Sequence, residues 1–195
     1  MITDYKQIQG WFSGERLYEA IIDEIPFDYN IHYVVDVGTW LGQSTAYLGQ
    51  LIKKSGKNIK IFAVDSFKGC DSCEFQLDEV KKQGGSIYNK FIQNMTALGL
   101  IDIITPIIAN SWDVPNLIDP NIMFDFVYID ASHLPDNVAK DLNAYWPRIK
   151  NGGILGGDDA SYPHETNPLV IEVEKFARQV NRKVVYSDIQ WIIRK

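Results

Sequence analysis

Three observations predict an α/β fold built on a mostly parallel sheet with helices on both faces. Apolar runs at 33–37, 60–64, 103–108, 124–129 and 154–157 alternate with segments whose apolar residues recur at helical spacing. The first run passes through Gly38 and Gly42 directly into a helical pattern, the strand–turn–helix layout of a parallel unit. Aspartates close three of the runs (Asp65, Asp130 and Asp158-Asp159), on the edge where open parallel sheets bind ligands. Two last runs, 183–186 and 189–193 around Ser187-Asp188, read as an antiparallel hairpin.

Taken in order, Ser13-Gly14-Glu15 opens a helix whose face carries Leu17, Tyr18, Ile21, Ile22 and Ile25, and Pro26 stops it. Trp11 and Phe12 precede this N-terminal helical segment (residues 1–30), and the expectation for both is core packing, with a pocket wall as the alternative. The run 33–37 is apolar enough for a strand buried on both faces. The helix after the glycine turn stops at Ser55-Gly56. Residues 66–85 are polar and long for a connection, which marks a candidate lid loop, with Lys81-Lys82 a solvated pair. A helix over 86–98 ends at Gly99, and Pro106 places the third strand at a sheet edge. Residues 136–146 form a helix, Asn151-Gly152-Gly153 turns into the fifth strand at 154, and Asn167-Pro168 opens the last helix.

The chain has 195 residues, 46% of them hydrophobic, and this is enough for one well-buried domain spanning 1–195. A formal charge of −6 weighs against nucleic acid or an anionic membrane as a main partner. No apolar segment approaches the roughly 18 residues that span a bilayer. Met1-Ile2-Thr3-Asp4 lacks a signal-peptide layout, so a cytoplasmic location is expected. Cys70 and Cys73 form a single Cys-x-x-Cys without the second pair a zinc site needs, and they read as reduced loop residues.

The spacing Asp36-x-Gly38-x-x-x-Gly42, followed by Ser44, departs from the Gly-x-Gly-x-x-Gly that grips a dinucleotide pyrophosphate. A carboxylate two residues ahead of the first glycine suits a cationic amine, and the combination fits the amino-acid end of S-adenosylmethionine. Asp65 is placed to accept hydrogen bonds from ribose hydroxyls, or to cap the next turn. Asn110-Ser111-Trp112 either edges and stacks an adenine or caps a helix. Asp130, Asp158 and Asp159 would repel one another without a cation, and an all-oxygen set suits Mg²⁺, Mn²⁺ or Ca²⁺. His133, on the loop after Asp130, has the natural pKa for a general base beside such a site, or is structural. His164 lies near the same loop.

With these motifs the chain resembles class I S-adenosylmethionine-dependent methyltransferases. Within them it is similar to the small metal-dependent O-methyltransferases of the macrocin-type, sugar-modifying group. The resemblance covers about residues 8–195 and implies a Rossmann-like seven-stranded sheet with the last strand antiparallel. It implies that Asp36, Gly38, Thr39, Gly42 and Ser44 surround the methionine moiety. Asp65 and Ser66 then take the ribose, Asn110 and Ser111 lie near the adenine, and Asp130 sits between cofactor and metal. Asp130, Asp158 and Asp159 correspond to the magnesium ligands. Catechol-type relatives carry a lysine base at the position of His133, and sugar-modifying relatives an aspartate at that of Ser132, so His133 inherits the role here. The implied acceptor is a small-molecule or sugar hydroxyl, and a homo-oligomer is compatible with it. Two other classes stay open: a non-catalytic S-adenosylmethionine-binding module, and an NAD-binding oxidoreductase, which the glycine spacing disfavours.

Overall fold

The structure is a computed structural model that describes residues 2–70 and 73–195. Seven strands form one sheet: β1 (His32–Val37), β2 (Ile59–Asp65), β3 (Ile104–Ile108), β4 (Phe124–Ile129), β5 (Ile149–Gly157), β6 (Val184–Ser187) and β7 (Gln190–Arg194). Their spatial order is β3-β2-β1-β4-β5-β7-β6. Strands β1 to β5 pair in parallel, and β7 runs antiparallel to both β5 and β6. The order reverses between β1 and β4, which is where an open sheet leaves a ligand crevice. Pro106 does sit on the edge strand, since β3 pairs only with β2.

The helices are α1 (Glu15–Glu24), α2 (Gln43–Ser55), α3 (Glu74–Lys82), α4 (Tyr88–Ala97), α5 (Val114–Leu117), α6 (Pro135–Tyr145) and α7 (Pro168–Gln179). Side chains alternate across the strands and build a separate core on each face. On one face Val34, Ile61 and Phe126 meet Tyr18, Ile22, Leu48 and Phe91 from α1, α2 and α4. On the other, Val35, Val127 and Leu155 meet Val114, Leu142, Val173 and Phe176 from α5, α6 and α7. Each of these fully buried large side chains contributes about 1.5–3 kcal/mol of burial free energy.

Three expectations change. The stretch 66–85 is not all loop: Glu74–Lys82 is helical, with Lys81 and Lys82 pairing with Asp78 and Glu79 in its last turns. Asn151-Gly152-Gly153 does not precede the fifth strand but lies within it, as an irregularity in the pairing between Phe124↔Ile149 and Phe126↔Ile154. Trp11 is 62% exposed and not in the core, whereas Phe12 does pack against Tyr18 and Tyr47. Gln43 ties this N-terminal segment down: its Oε1 accepts from the Phe12 amide and its Nε2 donates to the Ile8 carbonyl.

At the N-terminal end of the sheet Asp125 is fully compensated. It accepts from Lys150 Nζ at 2.8 Å, from the Tyr33 amide at 3.0 Å, and lies 2.9 Å from His32 Nδ1. His32 Nε2 in turn lies 3.0 Å from Asp28. Among the described residues, no helix is long and apolar enough to cross a membrane.

Candidate functional site

The glycine turn joins β1 to α2 with Gly38 at φ +88° and Gly42 at φ +94°, a region closed to most side chains. Packing enforces both glycines. A Cβ at Gly38 would collide with the Asp130 carbonyl, and one at Gly42 would lie 2.6 Å from Met95 Cε. Gly38 therefore lets the end of β1 touch the end of β4. Thr39, in the middle of the turn, is 2% exposed, and its Oγ1 has no hydrogen-bond partner. A buried hydroxyl left unpaired costs about 1–3 kcal/mol, which a ligand hydrogen bond would recover.

Asp36 and Ser44 do something other than face that turn. Asp36 points into the α1–α2 layer and accepts from Tyr18 Oη (3.1 Å), Ser44 Oγ (2.9 Å) and Thr45 Oγ1 (2.6 Å). Burial raises its carboxyl pKa, and the three hydroxyls oppose that shift. Tyr18 and Thr45 are thus part of the frame that holds β1 to two helices.

Asp65 accepts from the Trp40 amide at 2.8 Å and the Phe67 amide at 2.6 Å. It thereby pins the glycine turn to the loop after β2 and keeps lone pairs to spare. Ser66 is half-buried beside it, and its hydroxyl accepts from the Lys68 amide. The end of β3 continues this edge, because the Ala109 amide donates to the Asp65 carbonyl. Asn110 is exposed and donates through Nδ2 to Asp113, and Ser111 begins a short 3₁₀ turn without a side-chain cap. Trp112 lies under Lys140 Nζ at 4.7 Å.

Across the crevice, Asp130, His133 and Asp159 come together, with one ligand atom from each within 4.8 Å of the others. Burial, then the charges of Asp158 and Asp159, push the Asp130 carboxyl up to about 8, with His133 the opposing influence. His133 Nε2 lies 2.8 Å from Asp159 Oδ2, and this hydrogen bond is the main reason its pKa is raised. Asp159 takes φ +64°, a left-handed conformation that turns it off the strand direction.

The structure divides the three aspartates expected as ligands. Asp130 and Asp159 converge, with His133 as their companion, while Asp158, whose charge also bears on Asp130, lies outside that trio of ligand atoms. Asp158 is 5% exposed, and its Oδ1 accepts from the Asp159 amide at 2.9 Å and from Gln190 Nε2 at 3.3 Å. It thereby shapes the turn that presents Asp159. His133 joins the carboxylates through its contact with Asp159, a tertiary contact that residue spacing does not encode.

An open cleft of about 420 Å³ adjoins this trio, lined by His133, Asp159, Ser161, Tyr162, Thr166 and Asn167 among others. Cys70 and Cys73 are both thiols.

Structural comparison shows the same fold in solved methyltransferases. The O-methyltransferase NovP superposes with a TM-score of 0.70 at 14% identity, over 93% of this chain and 78% of that one. A Clostridium thermocellum protein described provisionally as an rRNA methylase gives 0.66 at 20% identity, over 96% and 98%. CalS11, a TDP-rhamnose 3′-O-methyltransferase of calicheamicin biosynthesis, gives 0.61 at 13% identity, over 93% and 77%. No curated protein sequence matches the chain. The fold is therefore that of class I S-adenosylmethionine-dependent methyltransferases. Residues 35–160 match the family described as "Methyltransferase domain", and the chain belongs to that family.

Proposed function

We propose that this protein is an S-adenosylmethionine-dependent O-methyltransferase that methylates a small-molecule or sugar hydroxyl with the help of a divalent cation. One observation carries the reading: Asp130 and Asp159, from neighbouring strand ends, converge with His133 beside the glycine turn.

The residues present fit both groups. For the cofactor, the unpaired Thr39 hydroxyl, the glycine backbone and the Asp65 carboxylate line one side of the crevice between β1 and β4. Ser66, Asn110 and Ser111 continue the same edge as candidates for the nucleoside. S-adenosylmethionine would supply the methyl group on a sulfonium. For the cation, the buried Asp130 carboxylate and the Asp159 carboxylate beside it offer oxygen donors suited to Mg²⁺ or Mn²⁺. The cation would supply positive charge that lowers the pKa of the acceptor hydroxyl.

The chain's own groups divide the remaining work. Asp130 and Asp159 hold the cation, and Asp158 supports Asp159 through its amide. Asp159 orients the His133 imidazole through Nε2, which leaves Nδ1 to take the hydroxyl proton. Charge is neutralised in the transfer, so exclusion of water favours it. The segment 66–85, carrying α3, is the candidate cover. The net charge of −6 supports a small acceptor over a nucleic acid.

Calorimetric titration with S-adenosylmethionine, run beside NAD⁺, tests the reading first. Saturable binding of S-adenosylmethionine alone is expected. Methyl transfer to a library of hydroxylated acceptors should then stop on chelation and resume with Mg²⁺. Binding of NAD⁺ in its place would overturn the proposal.

A further inference from the structure

Three consecutive residues at the start of β7 hold the acidic turn after β5. The Ile189 carbonyl accepts from the Ala160 amide at 2.8 Å, Gln190 Nε2 donates to Asp158 Oδ1 at 3.3 Å, and Trp191 Nε1 donates to the Asp158 carbonyl at 3.2 Å. Ile189 and Trp191 bond only to the backbone of that turn, whereas Gln190 bonds to a carboxylate. Gln190 is 5% exposed, and its Nε2 also donates to Ser13 Oγ at 3.3 Å, 177 residues away in sequence.

Ser13 belongs to a segment that is itself fastened to the glycine turn. Trp40 Nε1 donates to Gln9 Oε1 at 2.5 Å, and Gln43 bonds to the backbone of both Ile8 and Phe12. Gly14 lies so close to β4 that a Cβ there would be 3.4 Å from Tyr128 Oη. Residues 8–14 therefore run as a strap from the turn assigned to the cofactor to the turn that presents Asp159. Gln190 fastens its acidic end.

We propose that Gln190 is a positioning residue for methyl transfer: tied to Ser13, it fixes Asp158 and so holds Asp159 beside Asp130 and His133. The inference rests on the methyltransferase reading above and adds to it a residue that acts on the cation through Asp158 and Asp159. The contacts are continuous. Asp158 Oδ1 receives the Gln190 amide and the Asp159 main-chain N–H at 2.9 Å, and Asp159 Oδ2 lies 2.8 Å from His133 Nε2. Asp159 needs such support, because its left-handed backbone at φ +64° is disfavoured for a residue with a side chain. The donor type matters as well. Lysine or arginine at position 190 would bring a positive charge to Asp158 and compete with the cation, while the amide supplies N–H groups without charge. A hydrocarbon of equal length would fill the same space and leave Asp158 and Ser13 unjoined.

The test needs no acceptor. The full chain is saturated with S-adenosylhomocysteine and titrated calorimetrically with Mn²⁺, and broadening of the His133 ring-proton signal by bound Mn²⁺ is followed by NMR, assigned with His133→Gln. Gln190→Met keeps the side-chain length and removes both N–H groups. It should weaken Mn²⁺ binding about tenfold, the scale on which partners of metal ligands act. His133 broadening at saturating Mn²⁺ should fall, and S-adenosylhomocysteine affinity should stay within about twofold, since the glycine turn keeps its own fastenings. Ser13→Ala, on the exposed side of the contact, should weaken Mn²⁺ in the same direction by less. The double variant should be no weaker than Gln190→Met, because both changes act through one contact. A lower melting temperature in Gln190→Met with Mn²⁺ affinity and His133 broadening unchanged overturns the proposal and makes Gln190 a packing residue. Losses that add in the double variant overturn the link to Ser13. A wild-type chain that fails to bind S-adenosylhomocysteine counts instead against the methyltransferase reading, and one that binds it but not Mn²⁺ counts against the cation.

Discussion

Strand β4 carries an aspartate near its start and another just past its end, and the two are treated in opposite ways. Asp125 is surrounded by donors: Lys150, the Tyr33 amide and the His32 ring all bond to it. Asp130 meets two further carboxylates, Asp158 and Asp159, and His133 is the group that counters them. The first arrangement closes the sheet and leaves nothing to react. The second is held in an uncomfortable state that a cation and a substrate would relieve, which is the usual mark of a site kept for function. The same residue type thus serves stability at one end of a strand and chemistry at the other. The difference lies in how many opposite charges and N–H groups the fold delivers to each.

Asp130→Asn should break the comparison most visibly. Turnover is expected to fall about 10³-fold, or ~4 kcal/mol, on the scale of a lost electrostatic element of an active site. The melting temperature of the cation-free protein should hold or rise, because a repelled carboxylate has been removed. Next comes His133→Gln, for which a loss of about 10²-fold is expected. Isothermal titration with Mn²⁺ sharpens the assignment: affinity retained within a fewfold marks the base proposed above, and affinity lost with turnover would make His133 a ligand. Asp159 raises the pKa of His133, so the rate of the wild-type enzyme should climb with pH until the imidazole is neutral. Asp159→Asn should move that limb to lower pH in whatever activity survives.

At the other end, Asp125→Ala should cost about 2–3 kcal/mol in urea unfolding, by leaving Lys150 and His32 without their acceptor. Cofactor affinity should be unchanged. The pH dependence of stability separates the two ends again. Asp130 is raised from 3.8 to about 8, so between those values the folded state holds a proton that the unfolded state has released. Its stabilising contribution is therefore complete below about pH 4 and is lost as pH rises toward 8. Thermal unfolding of wild type and Asp130→Asn across that window should show the extra downward slope in the wild type alone, and Mn²⁺ should flatten it. The smallest effect belongs to the exposed pair on α3: Lys81→Ala should change stability by less than about 0.5 kcal/mol.

Much of this molecule was legible from residue order. Strand and helix patterning gave five parallel units and a terminal hairpin, and Pro106 located an edge strand, because hydrophobic period and backbone chemistry are local properties. The direction of the Asp36 side chain has a reason that is also present in the sequence. Asp36 shares strand parity with Val34, which packs on the α1–α2 layer, so its side chain enters that layer and not the crevice. Helix α3 was hidden by its composition: Val80 is its one buried residue, so no apolar stripe announced it.

By itself, then, the sequence determined the fold class, the order of the strands along the chain and the edge on which the aspartates of β2, β4 and β5 emerge. Only the tertiary structure decided which of them meet. Asp158 and Asp159 are neighbours with the same charge. A left-handed backbone at Asp159 and the Gln190 amide beside Asp158 send one to His133 and keep the other in the interior. The stack of Tyr162, His164 and Tyr186 has the same origin, since its rings come from the segment after β5 and from β6, which only folding brings together. Local patterns set which residues reach the edge of a sheet, and long-range packing sets where their side chains point.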